Sequence, residues 1–130
     1  EGVLMGGHSF IDETLTALSR RGVHLTMDDF GTGYSSLSYL RSYPFDVIKI
    51  DRSFVLDINE KPADRELVNA AVAMAHGLGL KVVAEGVETE MQLACLAELH
   101  CDLVQGYLFS KAVSLEQIQR MLDPQAARSA

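Results

Sequence analysis

The stretch that decides the fold reads Val23-His24-Leu25-Thr26-Met27-Asp28-Asp29. A short apolar run, residues 23–27, is followed at once by two adjacent aspartates. Near-continuous apolar runs with β-branched residues are typical of strands covered on both faces, as in parallel sheets. Parallel α/β proteins bind their ligands beyond the carboxyl ends of the strands. We therefore expect an α/β fold with a polar site at one rim of its sheet.

Three further strand-like runs follow, at residues 46–50, 81–84 and 103–105. Helical patterns lie around them, at residues 9–20, 35–42, 64–77, 89–100 and 114–122. Gly22 is placed to end the first helix, and Thr89 with Gln92 matches a capping box. The alternation of helices and strands predicts a parallel sheet with right-handed crossovers. An open doubly wound sheet and part of a (β/α) barrel both fit this order.

Composition indicates an ordinary globular domain. The chain has 130 residues, is 48% hydrophobic and carries a formal charge of −7. This acidic balance disfavours a nucleic-acid duplex as partner, whereas a small phosphate ligand stays open because divalent cations invert the local charge. Cys95 and Cys101 are expected to be buried free thiols, which fits a reducing cytoplasm. We expect a frayed tail at residues 124–130.

Each predicted strand ends in polar side chains at a common rim: Asp28 and Asp29, then Lys49 and Asp51, then Glu85 with Glu88 one loop step further, and finally Gln105. Two bare adjacent carboxylates would repel each other, and a divalent cation beside them removes that cost. Hard oxygen ligands favour Mg²⁺ or Mn²⁺. Lys49 suits an ion pair, a phosphate clamp or a water-positioning group. Any single aspartate here could instead be a helix N-cap, but polar residues at four consecutive strand ends favour a site.

Four motifs resemble the EAL family of bacterial cyclic diguanylate phosphodiesterases. They are Asp28-Asp29-Phe30-Gly31-Thr32-Gly33-Tyr34-Ser35-Ser36-Leu37, Ile48-Lys49-Ile50-Asp51, Val83-Ala84-Glu85-Gly86-Val87-Glu88-Thr89 and Gln105-Gly106-Tyr107-Leu108-Phe109. The resemblance implies a (β/α)₈ TIM-type barrel. Residues 1–123 would form its C-terminal half, because a complete barrel takes about 250 residues. It also implies hydrolysis of cyclic di-GMP to linear pGpG with Mg²⁺ or Mn²⁺, two ions in the intact domain.

By this resemblance the rim residues acquire roles. Asp28, Asp29 and Glu85 match metal ligands, and Glu88 and Gln105 match outer positions of the metal and water network. We count Gln105 with the metal-binding residues. Lys49 matches the lysine that positions or activates the attacking water. We count Lys49, Glu85 and Glu88 as catalytic and assign Asp51 to substrate binding. Glu1 looks like the glutamate that anchors the loop at residues 30–37, which in that family couples dimerisation to activity.

Several metal-shell residues of the family, including its Glu-Ala-Leu segment, belong to earlier strands that this chain does not contain. Ala112 also stands where the family usually has proline. We expect an active phosphodiesterase in the parent protein. A degenerate domain that binds cyclic di-GMP as a receptor is the second hypothesis, and an unrelated scaffold with incidental rim charges is the third.

The open edges of half a barrel predict association with a partner. That partner is the missing N-terminal half of the barrel or a second copy in a homodimer. We expect negligible hydrolysis by the isolated chain. The parent protein could carry a sensor or GGDEF domain upstream of this chain. Upstream segments could also anchor the parent to a membrane.

Overall fold

The computed structural model describes residues 8–32 and 37–123. In chain order the elements are α1 (His8–Arg20), β1 (Thr26–Phe30), α2 (Leu37–Ser42), β2 (Val47–Ile50), α3 (Arg52–Leu56), α4 (Pro62–Gly77), β3 (Lys81–Glu85), α5 (Glu90–Glu98), β4 (Leu103–Gln105) and α6 (Leu115–Leu122). The strands form one parallel sheet in the order β1-β2-β3-β4. This arrangement confirms the predicted α/β class, with four parallel strands alternating with helices as in half of a (β/α)₈ barrel.

The core lies between the sheet and the helices that cover it. Ile48, Val82 and Ala84 of the two central strands are completely buried. Helix α4 turns Val68 and Ala75 toward them. Burying one aliphatic side chain of this size contributes about 1.5–3 kcal/mol, so this layer fixes the strands and thereby the rim at their carboxyl ends.

The predicted bounds of the first strand were wrong by three residues. The prediction placed it at residues 23–27, whereas β1 runs from Thr26 to Phe30. The segment before it is tied to the chain ahead of β2 instead, since the Leu25 N–H donates to Asp46 Oδ2 at 2.8 Å. Apolar pattern alone could not separate this approach from the strand. As a result, Asp28 and Asp29 lie within β1 and not after it.

Local signals at the helix ends were read correctly. Gly22, just after α1, has a φ of 80°, a conformation that glycine adopts at low cost. The capping box at Thr89 and Gln92 is present, and Ser114 with Gln117 forms another. Both cysteines are free, but only Cys95 is fully buried. The predicted tail at residues 124–130 lies outside the described residues.

At the opposite end of the sheet, Asp102 fixes the start of β3. Its carboxylate accepts a hydrogen bond from the Val82 N–H at 2.8 Å and lies 2.8 Å from His76 Nε2. Burial acts to raise the pKa of Asp102, but these two partners outweigh burial and hold the pKa below its ordinary value. The contribution to stability is therefore present above the ordinary carboxyl pKa and disappears as the pH falls through the lowered one.

Apolar side chains are exposed on the first and last helices, α1 and α6, and on the edge strand β4. None of the residues of α6 is buried, and Leu115 and Leu122 are 72% and 75% exposed. Leu103 on the edge strand β4 and Phe10 on α1 are exposed as well. No helix among the described residues is long and apolar enough to cross a membrane.

Candidate functional site

Three carboxylates meet at the carboxyl end of the sheet. Asp28 and Asp29 of β1 and Glu85 at the end of β3 each offer one oxygen, and these atoms lie within 4.8 Å of one another. Successive side chains of a regular strand point to opposite faces. Here the pairing of β1 with β2 is irregular between Met27 and Phe30, and Asp29 has a φ of 53°. Both aspartates can therefore reach one rim.

Lys49 lies among these carboxylates because β2 runs between β1 and β3. Its Nζ contacts Glu85 Oε1 and lies 3.3 Å from Asp28 Oδ1. The side chain is only 21% exposed. The hydrogen bond to Glu85 raises the pKa of Lys49 and outweighs partial burial, which acts in the opposite direction. These contacts favour the charged ammonium form of Lys49.

The donor atoms of this cluster fit a hard divalent cation. Asp28, Asp29 and Glu85 supply only carboxylate oxygens, which Mg²⁺ and Mn²⁺ prefer over nitrogen or sulfur donors. Strand positions hold such ligands more firmly than loop positions do. The structure thus brings together the predicted ligands Asp28, Asp29 and Glu85, with the predicted water-positioning Lys49 beside them.

Gln105 lies directly beside this cluster. It is in register with Glu85 across β3 and β4, and its Nε2 donates to Glu85 Oε1 at 2.8 Å. The amide therefore orients the glutamate carboxylate in this arrangement. Direct metal ligation by Gln105 stays a prediction.

Asp51 and Glu88 are engaged by neighbours that sequence analysis did not foresee. Asp51 begins α3 as its N-cap and accepts hydrogen bonds from the Ser53 hydroxyl and N–H, which hold the pKa of Asp51 below its ordinary value. Glu88 Oε1 lies 2.7 Å from Nη2 of Arg52. The roles predicted for Asp51 in substrate binding and for Glu88 in catalysis stay predictions. Glu1 and residues 33–36 of the loop that it would anchor lie outside the described residues.

The loops after β3 and β4 are held together by their backbones. The Val87 N–H donates to Gln105 O at 3.1 Å, and the Leu108 N–H donates to Val87 O at 3.0 Å. A Cβ at Gly106 would overlap the Val87 backbone, so only glycine allows this approach. The pairing keeps Glu85 and Gln105 in a fixed relation at the rim.

Comparison with known proteins identifies the family. A model described as the EAL domain matches residues 3–112. The chain belongs to the EAL domain family. The resemblance inferred from the four motifs is therefore confirmed. An EAL domain also explains why every polar strand end of the sheet faces one rim, since barrel enzymes build their sites at that face.

Relatives of this EAL domain include proteins named for cyclic di-GMP. A Pseudomonas aeruginosa protein, cyclic di-GMP phosphodiesterase NbdA, is 56% identical over 115 residues, which are 86% of this chain and 15% of that protein. The cAMP- and cyclic-di-GMP-bound EAL enzyme Bd1971 aligns with a TM-score of 0.90 and 36% identity, over 95% of this chain and 32% of that one.

BlrP1 of Klebsiella pneumoniae, solved as manganese/cy-diGMP and calcium/cy-diGMP complexes, aligns with a TM-score of 0.76 and 38% identity. The manganese complex is matched over 83% of this chain and 28% of that one. This chain thus spans less than a third of the length of each of these three proteins.

Proposed function

We propose that this chain is the C-terminal half of an EAL domain that hydrolyses cyclic di-GMP to linear pGpG with a divalent cation, Mg²⁺ or Mn²⁺. The observation that carries the proposal is the cluster of Asp28, Asp29 and Glu85, with the ammonium of Lys49 against Asp28 and Glu85. The names of the relatives support the substrate, and the manganese complex of BlrP1 supports the cation.

Asp28, Asp29 and Glu85 would hold the cations, two in the intact domain. Bound there, divalent cations supply a water of lowered pKa and positive charge for the oxygens of the phosphodiester. Water attacks the phosphorus, one P–O ester bond breaks, and the leaving ribose oxygen takes up a proton. The ring is opened in this way, and the product is linear pGpG.

The chain's own contribution is orientation and charge. As an ammonium group, Lys49 would attract the anionic phosphodiester and orient the attacking water through its N–H donors, without needing to be the base. Gln105 holds Glu85 in place through its 2.8 Å hydrogen bond. Rigid donors of this kind stabilise developing charge with little reorganisation.

The proposal predicts metal-dependent release of pGpG by the intact domain. The parent protein would be stripped of metal with a chelator and assayed chromatographically with cyclic di-GMP, before and after addition of Mn²⁺ or Mg²⁺. We expect no product without metal and linear pGpG after its addition. Tight binding of cyclic di-GMP without hydrolysis under any metal would instead identify a receptor and contradict the proposal.

A further inference from the structure

We infer that Arg52 is a positioning residue of this rim, which neutralises Glu88 and fixes the loop between Glu85 and Glu88. The inference rests on the proposed function and adds a residue that the motif comparison did not assign. Arg52 is the first residue of α3, immediately after the strand that carries Lys49. It thus links β2 to the loop that follows β3.

The first observation is the ion pair. Arg52 Nη2 lies 2.7 Å from Glu88 Oε1, and the two side chains are 56% and 36% exposed. Ion pairs this exposed contribute little to the free energy of unfolding. The effect of Arg52 should therefore appear in the orientation and charge of Glu88 more than in the free energy of unfolding.

The second observation is the packing of the Arg52 stem. The aliphatic part of Arg52 lies against Gly86, where a Cβ would collide with the arginine Cβ, Cγ and Cδ. Gly86 follows Glu85 directly and has a φ of 73°. Arg52 thus covers the backbone between the two glutamates, and only glycine leaves room for it.

The third observation is the cavity that these groups enclose. A space of about 230 Å³ opens beside the carboxylate cluster of Asp28, Asp29 and Glu85. Its lining residues include Arg52, Glu85, Glu88, Gln105 and Tyr107. An anionic substrate that enters this cavity meets two glutamates. With Arg52 removed, Glu88 would present an unpaired negative charge and repel the phosphodiester, since close like charges are unfavourable in binding.

The test measures the dissociation constant of cyclic di-GMP for the intact domain in Ca²⁺. Arg52→Met is expected to weaken binding about tenfold, whereas Arg52→Lys, which keeps the charge, should recover most of it. In a Glu88→Gln background Arg52→Met should change the constant less than twofold. Arg65→Met is the matched control, because Arg65 forms a similarly exposed pair with Glu98 at 2.9 Å. It should leave binding unchanged.

Two results would overturn the inference. If Arg52→Met binds cyclic di-GMP as tightly as the wild type, Arg52 has no role in binding. If Arg52→Met weakens binding equally in the wild-type and Glu88→Gln backgrounds, Arg52 is a direct substrate ligand. Melting temperatures of all variants exclude unfolding as the cause of a change. Hydrolysis by the wild-type domain in Mn²⁺ is measured alongside. The four domains with and without the Arg52 and Glu88 substitutions could show the expected binding constants while the wild type hydrolyses nothing. That result would contradict the proposed function and leave the Arg52 inference supported.

Discussion

Replacing Glu85 with alanine in the intact domain is expected to lower kcat for cyclic di-GMP hydrolysis by at least about 100-fold. Mutating a residue that only supports a metal ligand typically lowers metal affinity or activity by roughly 10–100-fold. Glu85 should cost more, because it is a predicted ligand and also contacts Lys49 and Gln105. A 100-fold loss corresponds to about 2.7 kcal/mol of transition-state stabilisation.

The measurement for this prediction is steady-state release of pGpG at saturating Mn²⁺. Glu98→Ala is the control, since Glu98 is an exposed carboxylate on α5 whose only ion pair among the described residues is with Arg65. Its activity should stay within about twofold of the wild type, as surface substitutions have small effects. A Glu85→Ala domain that retains full activity would remove Glu85 from the metal site.

The second large effect concerns the chain by itself. We expect the isolated 130 residues to associate or precipitate at micromolar concentration and to release no measurable pGpG. The edge strand β4 exposes Leu103, and α6 exposes Leu115, Met121 and Leu122. Open edges and exposed apolar faces promote association. The resemblance to the family also implies further metal ligands on earlier strands of the intact domain.

Sedimentation velocity measures this association. Met121→Lys on α6 should shift the distribution toward monomer, whereas Met91→Lys, at a similarly exposed methionine on α5, should not. Adding the N-terminal half of the parent domain as a separate polypeptide should restore a defined complex and some hydrolysis. A folded monomer at micromolar concentration, or hydrolysis by the chain alone at the rate of an intact domain, would refute the prediction.

Much of the fold could be predicted because its signals are local and repetitive. The apolar runs of β2, β3 and β4 and the polar signals at helix ends each lie within a few residues. The fourth strand was placed at residues 103–105, as observed for β4. Strict alternation then leaves few topologies for a chain of this length.

The errors fall where tertiary contacts overrule local preference. Aspartate is depleted in strands, so sequence analysis ended β1 before Asp28, whereas the strand continues to Phe30. Helix α3 was not predicted either, since the five residues Arg52–Leu56 are too few to show helical periodicity. Its start depends on the Asp51 cap, which sequence analysis had mentioned only as an alternative for a rim aspartate.

The sequence predicted which residues lie at the site better than it predicted the contacts between them. We selected Asp28, Asp29, Lys49 and Glu85 because they lie at or next to the predicted ends of strands, and the structure clusters them. The pairing of Arg52 with Glu88 joins the first residue of α3 to a loop residue 36 positions later, and no spacing rule links them. Gly86 indicates that another group approaches the backbone closely at this position. Only the structure shows that this group is the aliphatic stem of Arg52.

The central claim is that Asp28, Asp29 and Glu85 hold divalent cations at the rim of the barrel. Anomalous diffraction from crystals of the intact domain grown with Mn²⁺ and cyclic di-GMP tests it most directly. We predict anomalous density within direct ligation distance of the carboxylate oxygens of these three residues. Manganese bound elsewhere, with Lys49 still bridging Asp28 and Glu85 beneath the phosphodiester, would contradict the claim.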